Sequence, residues 1–249
     1  MANQPLLHID VCCTKELCMK TIGLIGGMSW ESSVSYYQVL NQTIKQRFGG
    51  LHSAKCVLYS VDFAEIAALQ KADQWETAGE ILAQAARNLA AAGAECIVLC
   101  TNTMHLVATA IEQAVEVPFI HIVDPTAAAI QQQQLTTIGL LGTRFTMEHD
   151  FYAGRLRQRY GLAVVTPEPE QRDEIHRIIF DELCLGKIDA SSKTYYLAVI
   201  NDLVAAGAQG IILGCTEIGL LINQADCDVP LFDTTLLHGQ AAVAWSLAK

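Results

Sequence analysis

The sequence predicts an α/β protein of two similar, pseudo-symmetric lobes. Each lobe is a parallel sheet flanked by helices, with an active site at the interface between them. Three observations carry this. Apolar runs of strand length alternate with helix-period segments along the whole chain. Several of these runs are continuous in Val, Ile and Leu, the pattern of strands covered on both faces. The pattern also repeats. TIGLIGG (21–27) recurs as TIGLLGT (137–143), an offset of 116. NLAAAGAECIVLCTNT (88–103) recurs as DLVAAGAQGIILGCTE (202–217), an offset of 114, and VPF (117–119) as VPL (229–231), an offset of 112. Three matches in one order at nearly one spacing indicate a duplicated unit.

The strand candidates, in order, are 21–26, 55–61, 95–100, 118–123, 137–142, 162–166, 210–215 and 230–232. Amphipathic segments lie between them, such as 74–93 and 191–208, and both run into a Gly that stops the helix. Repeated β-α units require parallel pairing through right-handed crossovers. The fold's alternation begins at Met19, so residues 1–18 read as a flexible extension. The first lobe is expected to span 19–123 and the second 124–231.

The chain has 249 residues, 51% of them hydrophobic, enough for a large core. Its formal net charge is −10, and without Lys/Arg clusters it is a poor nucleic-acid binder. No apolar run approaches the roughly 18 residues of a membrane span. The N-terminus lacks the pattern of a secretory signal. Nine cysteines, an odd number with no C-x-x-C pair, fit a reducing cytoplasm. The histidines, His105, His121, His149, His176 and His238 among them, show no metal-ligand spacing. Gly26-Gly27 lacks the Lys-Ser/Thr ending of a phosphate loop.

In parallel sheets, ligands bind beyond the carboxyl ends of strands, where helix N-termini suit a carboxylate. GGMSWES (26–32), CTNT (100–103) and CTE (215–217) fall there. The duplication pairs Thr101 with Cys215. Across a pseudo-symmetric cleft, these two groups would face opposite sides of one substrate carbon. Such a pair suggests stereoinversion, one group removing a proton and the other returning one to the far face. Cys215 is expected at a helix start, where a thiolate is stabilised. Cys100 aligns with Gly214 and should face packing, since successive strand residues alternate. Asn102, Thr103, Thr216 and Glu217 are either substrate contacts or helix caps.

The stretches MKTIGLIGGMSWESS, GGLHSAK, SVDF, VLCTNTMH, LLGTRFTME, IIFDELCLG and LGCTEIGLL resemble the cofactor-independent aspartate/glutamate racemases. Within that family they are most similar to the broad-specificity amino-acid racemases of enteric bacteria. The resemblance runs from Met19 to Lys249. It implies two α/β lobes, a homodimer, a small amino-acid substrate and no pyridoxal phosphate or other cofactor. It assigns Cys215 and Thr101 as the acid/base pair. The family's usual first motif is C-N-T, which here reads Thr101-Asn102-Thr103. Asn102, Thr103, Thr216 and Glu217 would surround the substrate, with Met28 and Gln70 as further pocket residues. The resemblance also implies that the C-terminal helix, about 232–249, returns to the first lobe.

An alcohol opposite a thiol makes the two half-reactions unequal, because a hydroxyl is a far weaker acid than a thiol. Two other readings belong beside racemisation: a single-Cys decarboxylase of the same superfamily, and a non-catalytic amino-acid-binding homologue. No Lys or Arg lies inside the motifs to meet a second substrate carboxylate; Lys187, Arg144 and Arg47 are the outside candidates.

Overall fold

The computed structural model describes residues 19–248. The expected extension, 1–18, lies outside the described residues. Two four-stranded sheets form, every strand pair parallel. The first has the order β2-β1-β3-β4, from β1 (Ile22–Gly26), β2 (Cys56–Ser60), β3 (Cys96–Leu99) and β4 (Phe119–Ile120). The second repeats it as β6-β5-β7-β8, from β5 (Thr137–Gly142), β6 (Ala163–Val165), β7 (Ile211–Gly214) and β8 (Leu231–Asp233). The register repeats too: Ile25 pairs with Leu99 in the first sheet and Leu141 with Leu213 in the second. The central strands β1, β3 and β7 are buried throughout, as their unbroken apolar runs require.

Helices cover both faces of each sheet. In the first lobe they are α1 (Trp30–Phe48), α2 (Phe63–Lys71), α3 (Trp75–Ala91) and α4 (Ala108–Ala114). Then follow α5 (Val123–Gln132), α6 (Arg144–Glu148), α7 (Asp150–Tyr160), α8 (Pro169–Asp181), α9 (Ala190–Ala205), α10 (Ile218–Leu221) and α11 (Thr234–Leu247). Each sheet therefore separates two apolar clusters. Ile25, Leu82 and Leu99 lie on one face of the first sheet, Leu24, Tyr36 and Val98 on the other. Leu141, Ile175 and Leu213 lie on one face of the second, Leu140, Tyr152 and Ile212 on the other. Cys100 packs with Leu24 and Tyr36, fully buried.

The expected lobe boundaries at 123/124 and 231/232 fall inside α5 and β8. Phe232 and Asp233 belong to the second sheet because β8 pairs with Ile211–Leu213. The chain then crosses back, and α11 packs on α1. Gly239 permits this approach, since a Cβ there would sit 2.6 Å from Val39 Cγ1. Among the described residues, no helix is long and apolar enough to cross a membrane.

Candidate active site

The carboxyl ends of β1, β3, β5 and β7 converge between the lobes on one narrow cavity. Seven of the eight expected site residues line it: Met28, Gln70, Thr101, Asn102 and Thr103 from the first lobe, Cys215 and Glu217 from the second. Thr216 is not part of the lining; its hydroxyl donates to Glu217 Oε2 at 2.6 Å. Sequence reasoning missed Phe63, Thr143, Ile179, Phe180 and Cys184, which complete the wall. Motifs IIFDELCLG and LLGTRFTME contain most of these. Their spacing did not tell which side chains turn inward.

The local sequence explains how each piece is held. After β1 the chain turns at Gly27, φ +94°, where a Cβ would lie 2.2 Å from Val61 O. That turn delivers Met28 to the cavity and Ser29 to the N-cap of α1. After β3, a short 3-10 turn (Thr103–Val107) begins, with Thr101 and Asn102 just before it. His105 Nδ1–H donates to Thr101 O at 2.8 Å, while Nε2 accepts from Ile122 N–H at 3.2 Å. These partners fix its tautomer and anchor the backbone of Thr101.

Glu217 is the hub of the site. It is 2% exposed and is reached by five donors. Oε1 accepts from Ser29 at 2.7 Å and Ser32 at 2.8 Å, both at the start of α1 in the other lobe. Cys184 Sγ, on the turn after α8, also approaches Oε1 at 3.8 Å. Oε2 accepts from Cys215 Sγ at 3.0 Å and from Thr216. The carboxylate thus sits at the N-terminus of α1, where the helix dipole favours negative charge. The other lobe mirrors this geometry with neutral groups. Thr103, the repeat partner of Glu217, places its hydroxyl 2.9 Å from that of Thr143, the N-cap of α6.

One expectation is corrected here. Cys215 does not sit in the first turn of a helix. Helix α10 begins three residues later and has only four residues. Burial pushes the Cys215 thiol well above its ordinary value, and the adjacent Glu217 carboxylate pushes it further. Cys215 is therefore held as a thiol, and the favourable helix dipole acts on Glu217 instead. Cys184 is raised for the same two reasons in the same order.

Two amide oxygens complete the polar inventory. Gln70 Nε2 donates to Met104 Sδ at 3.0 Å and Asn102 Nδ2 to Thr234 Oγ1 at 3.0 Å. Gln70 Oε1 and Asn102 Oδ1 are buried without a partner among the described residues. Buried acceptors left open in a cavity are places where a ligand or a water donates. Of the three outside cations, Arg47 and Lys187 are exposed away from the cavity. Arg144 lies in an outer pocket that shares Gln70 and Phe180 with the inner one.

The family model described as Asp/Glu/Hydantoin racemase matches residues 25–242. A crystal structure of a candidate Asp/Glu racemase from Yersinia pestis is 55% identical, covering 92% of this chain and 100% of that one, with a TM-score of 0.86. An aspartate racemase homologue from Pyrococcus horikoshii OT3 is 36% identical over 92% of this chain and 99% of that one, with a TM-score of 0.79. The broad specificity amino-acid racemase RacX of Bacillus subtilis (strain 168) is 25% identical over 158 residues, 63% of this chain. The match spans just under two thirds of that relative, 66% of its length.

Proposed function

The chain belongs to the Asp/Glu/Hydantoin racemase family, and on that premise we propose that it is a cofactor-independent amino-acid racemase. Its substrate is aspartate, glutamate or a similar polar amino acid. The reaction removes the Cα proton on one face and returns a proton on the other, with Cys215 and Thr101 as the two proton-handling groups. One observation carries this reading: the repeat pairs these two residues, and both reach the same interlobe cavity, one from each lobe.

The surroundings support the same chemistry. The α-ammonium finds acceptors in Gln70 Oε1, Asn102 Oδ1 and Glu217. The α-carboxylate finds hydroxyls in Thr103 and Thr143. A carbanion at Cα is stabilised by such preorganised donors in a dry site, as an oxyanion is. The raised thiol of Cys215 must first lose its proton, and Glu217 Oε2 at 3.0 Å is the acceptor within reach. The arriving ammonium lowers the cost of the thiolate, because an adjacent positive charge favours it.

The test is α-proton exchange in D₂O from each pure enantiomer, with no cofactor added. Wild-type protein is expected to exchange and racemise. Cys215→Ala is expected to do neither; substantial exchange by that variant would refute its role. Thr101→Ala is expected to lose racemisation while retaining exchange from the enantiomer that presents its Cα–H to Cys215. The equilibrium constant between enantiomers is unity, so kcat/KM is equal in both directions. The thiol–alcohol difference must therefore show in kcat and KM separately. Equal kcat values for the two enantiomers would overturn the assigned asymmetry.

A further inference from the structure

We infer that His105 is a positioning residue for the alcohol half of the reaction: its imidazole sets where Thr101 stands at the cavity, and Cys215 works without it. The inference rests on the racemase reading and deepens it. Strand β3 ends at Leu99 and the chain turns at once, Thr101 N–H donating to Leu99 O at 2.9 Å. Thr101 therefore stands on a turn, beyond the ladder of the sheet. His105 follows four residues later and is 2% exposed. Its Nδ1–H donates to Thr101 O at 2.8 Å, and its Nε2 accepts from Ile122 N–H at 3.2 Å. Ile122 lies between β4 and α5, where the chain leaves the first lobe. The ring thus ties the backbone of Thr101 to the crossing between the lobes.

The ring is also walled in. The rings of His121, Phe119 and His238 lie 4.6, 5.5 and 5.8 Å from it, centroid to centroid. Burial, and then His121 and His238, push its pKa well below the ordinary value. The neutral ring keeps a lone pair on Nε2 for Ile122 N–H, which leaves Nδ1 as the donor. Packed on its faces and bonded at both nitrogens, the imidazole is a rigid strut rather than a mobile acid or base.

The duplication shows that only one lobe has this strut. The repeat partner of His105 is Gly219. A Cβ there would already lie 3.1 Å from Asp233 Oδ2, so the second lobe leaves no space for a ring. Cys215 O instead accepts from the backbone N–H of Ile218 at 3.2 Å. The thiol is held by local backbone, the alcohol by an inserted side chain. A hydroxyl is the weaker proton-handling group, so its half-reaction depends on close alignment with Cα. A displacement of about 1 Å at such a group can cost about 10²-fold in rate.

Two substitutions divide the two hydrogen bonds of the ring. The amide of Asn falls near the position of Nδ1 and keeps the donor to Thr101 O. The amide of Gln reaches the position of Nε2 and keeps the contact with Ile122 N–H. Racemisation and α-proton exchange in D₂O are measured from both enantiomers of aspartate, glutamate, asparagine, glutamine and homoserine. Thr101→Ala identifies the enantiomer that presents its Cα–H to Cys215. In His105→Gln, racemisation is expected to fall about 10- to 100-fold in both directions, while exchange from that enantiomer stays within about threefold of wild type. In His105→Asn, racemisation is expected to recover to within about threefold of wild type. A merely structural role would lower exchange from both enantiomers together. Such a parallel loss, or a His105→Gln variant as active as wild type, would overturn the inference. So would a loss of racemisation in His105→Asn, which decides the question even where His105→Gln does not fold. Exchange of none of these amino acids by the wild-type protein would instead refute the racemase reading itself, and the inference with it.

Discussion

Cys215 Sγ donates to Glu217 Oε2 across 3.0 Å. The thiol stays protonated, because burial disfavours the thiolate first and the neighbouring carboxylate disfavours it second. Removing the carboxylate separates two effects. Glu217→Gln is expected to lower kcat by about 10²- to 10⁴-fold, the usual loss when a positioned proton acceptor is removed. It is also expected to move alkylation of Cys215 to lower pH, since the repulsive charge is gone. Rates of iodoacetamide modification against pH, alongside turnover, read both. If Glu217 served packing alone, activity would fall and the alkylation profile would stay where it is. The thiol's identity was legible in the sequence from the repeat. Its protonation state was not, since that depends on a side chain two residues on folding back against it.

At the scale of elements, the two lobes use one device with different chemistry. Each sheet ends in a turn whose N-cap hydroxyl, Ser29 or Thr143, meets the third residue of the other lobe's strand-end motif. In one case that residue is the buried carboxylate of Glu217, in the other the hydroxyl of Thr103. Ser29→Ala loses a helix cap, costing about 1 kcal/mol, and a donor to a buried charge, costing about 1.5–3 kcal/mol. Thr143→Ala loses a cap and a neutral contact, about 1–2 kcal/mol together. Thermal unfolding of the two variants is expected to show the larger drop for Ser29→Ala. Equal drops would mean that the cross-lobe carboxylate contributes no more than the cross-lobe hydroxyl. The strands themselves were readable to within a few residues, because buried parallel strands demand continuous Val, Ile and Leu. Helix α10 was not: a four-residue helix carries too few turns for a periodicity.

At the scale of the whole molecule, both chain crossings between the lobes pass one buried cluster of imidazoles. His105 stacks edge-on with His121, centroids 4.6 Å apart, and faces His238 of α11 at 5.8 Å. His238 Nε2–H donates to Ile120 O at 2.6 Å and its Nδ1 accepts from Tyr36 Oη at 2.8 Å. Burial pushes His238 down to about 4 and His121 down to about 2, and holds His105 well below its ordinary value. The fold therefore keeps all three neutral, whereas an unfolded chain protonates them below about pH 6.5. The unfolded state binds more protons in that range, so stability rises with pH through it. Stability is expected to be fully present above about pH 7. It is lost as pH falls below about 6.5, by up to about 1.4 kcal/mol per pH unit for each histidine. For His238 the loss ends near its folded value. Urea unfolding at pH 7, 6 and 5 checks this, with His121→Gln reducing the slope by one group. A flat profile between pH 7 and 5 would contradict it.

The sequence by itself determined the architecture and the pairing at its centre. The apolar runs demanded two parallel sheets, and the duplication aligned Thr101 with Cys215. Those are local and periodic properties, written in residue type and spacing. What only the tertiary structure decided was the company those residues keep. Glu217 binds serines 185 to 188 positions away. The cavity's apolar wall comes from the turn after β1 and from α2 and α8, and the helix dipole that was expected to favour a thiolate is occupied by a carboxylate. Burial, dielectric and cross-lobe contact are properties of three-dimensional neighbourhood. They set the charge state of the thiol, and no spacing in the chain encodes them.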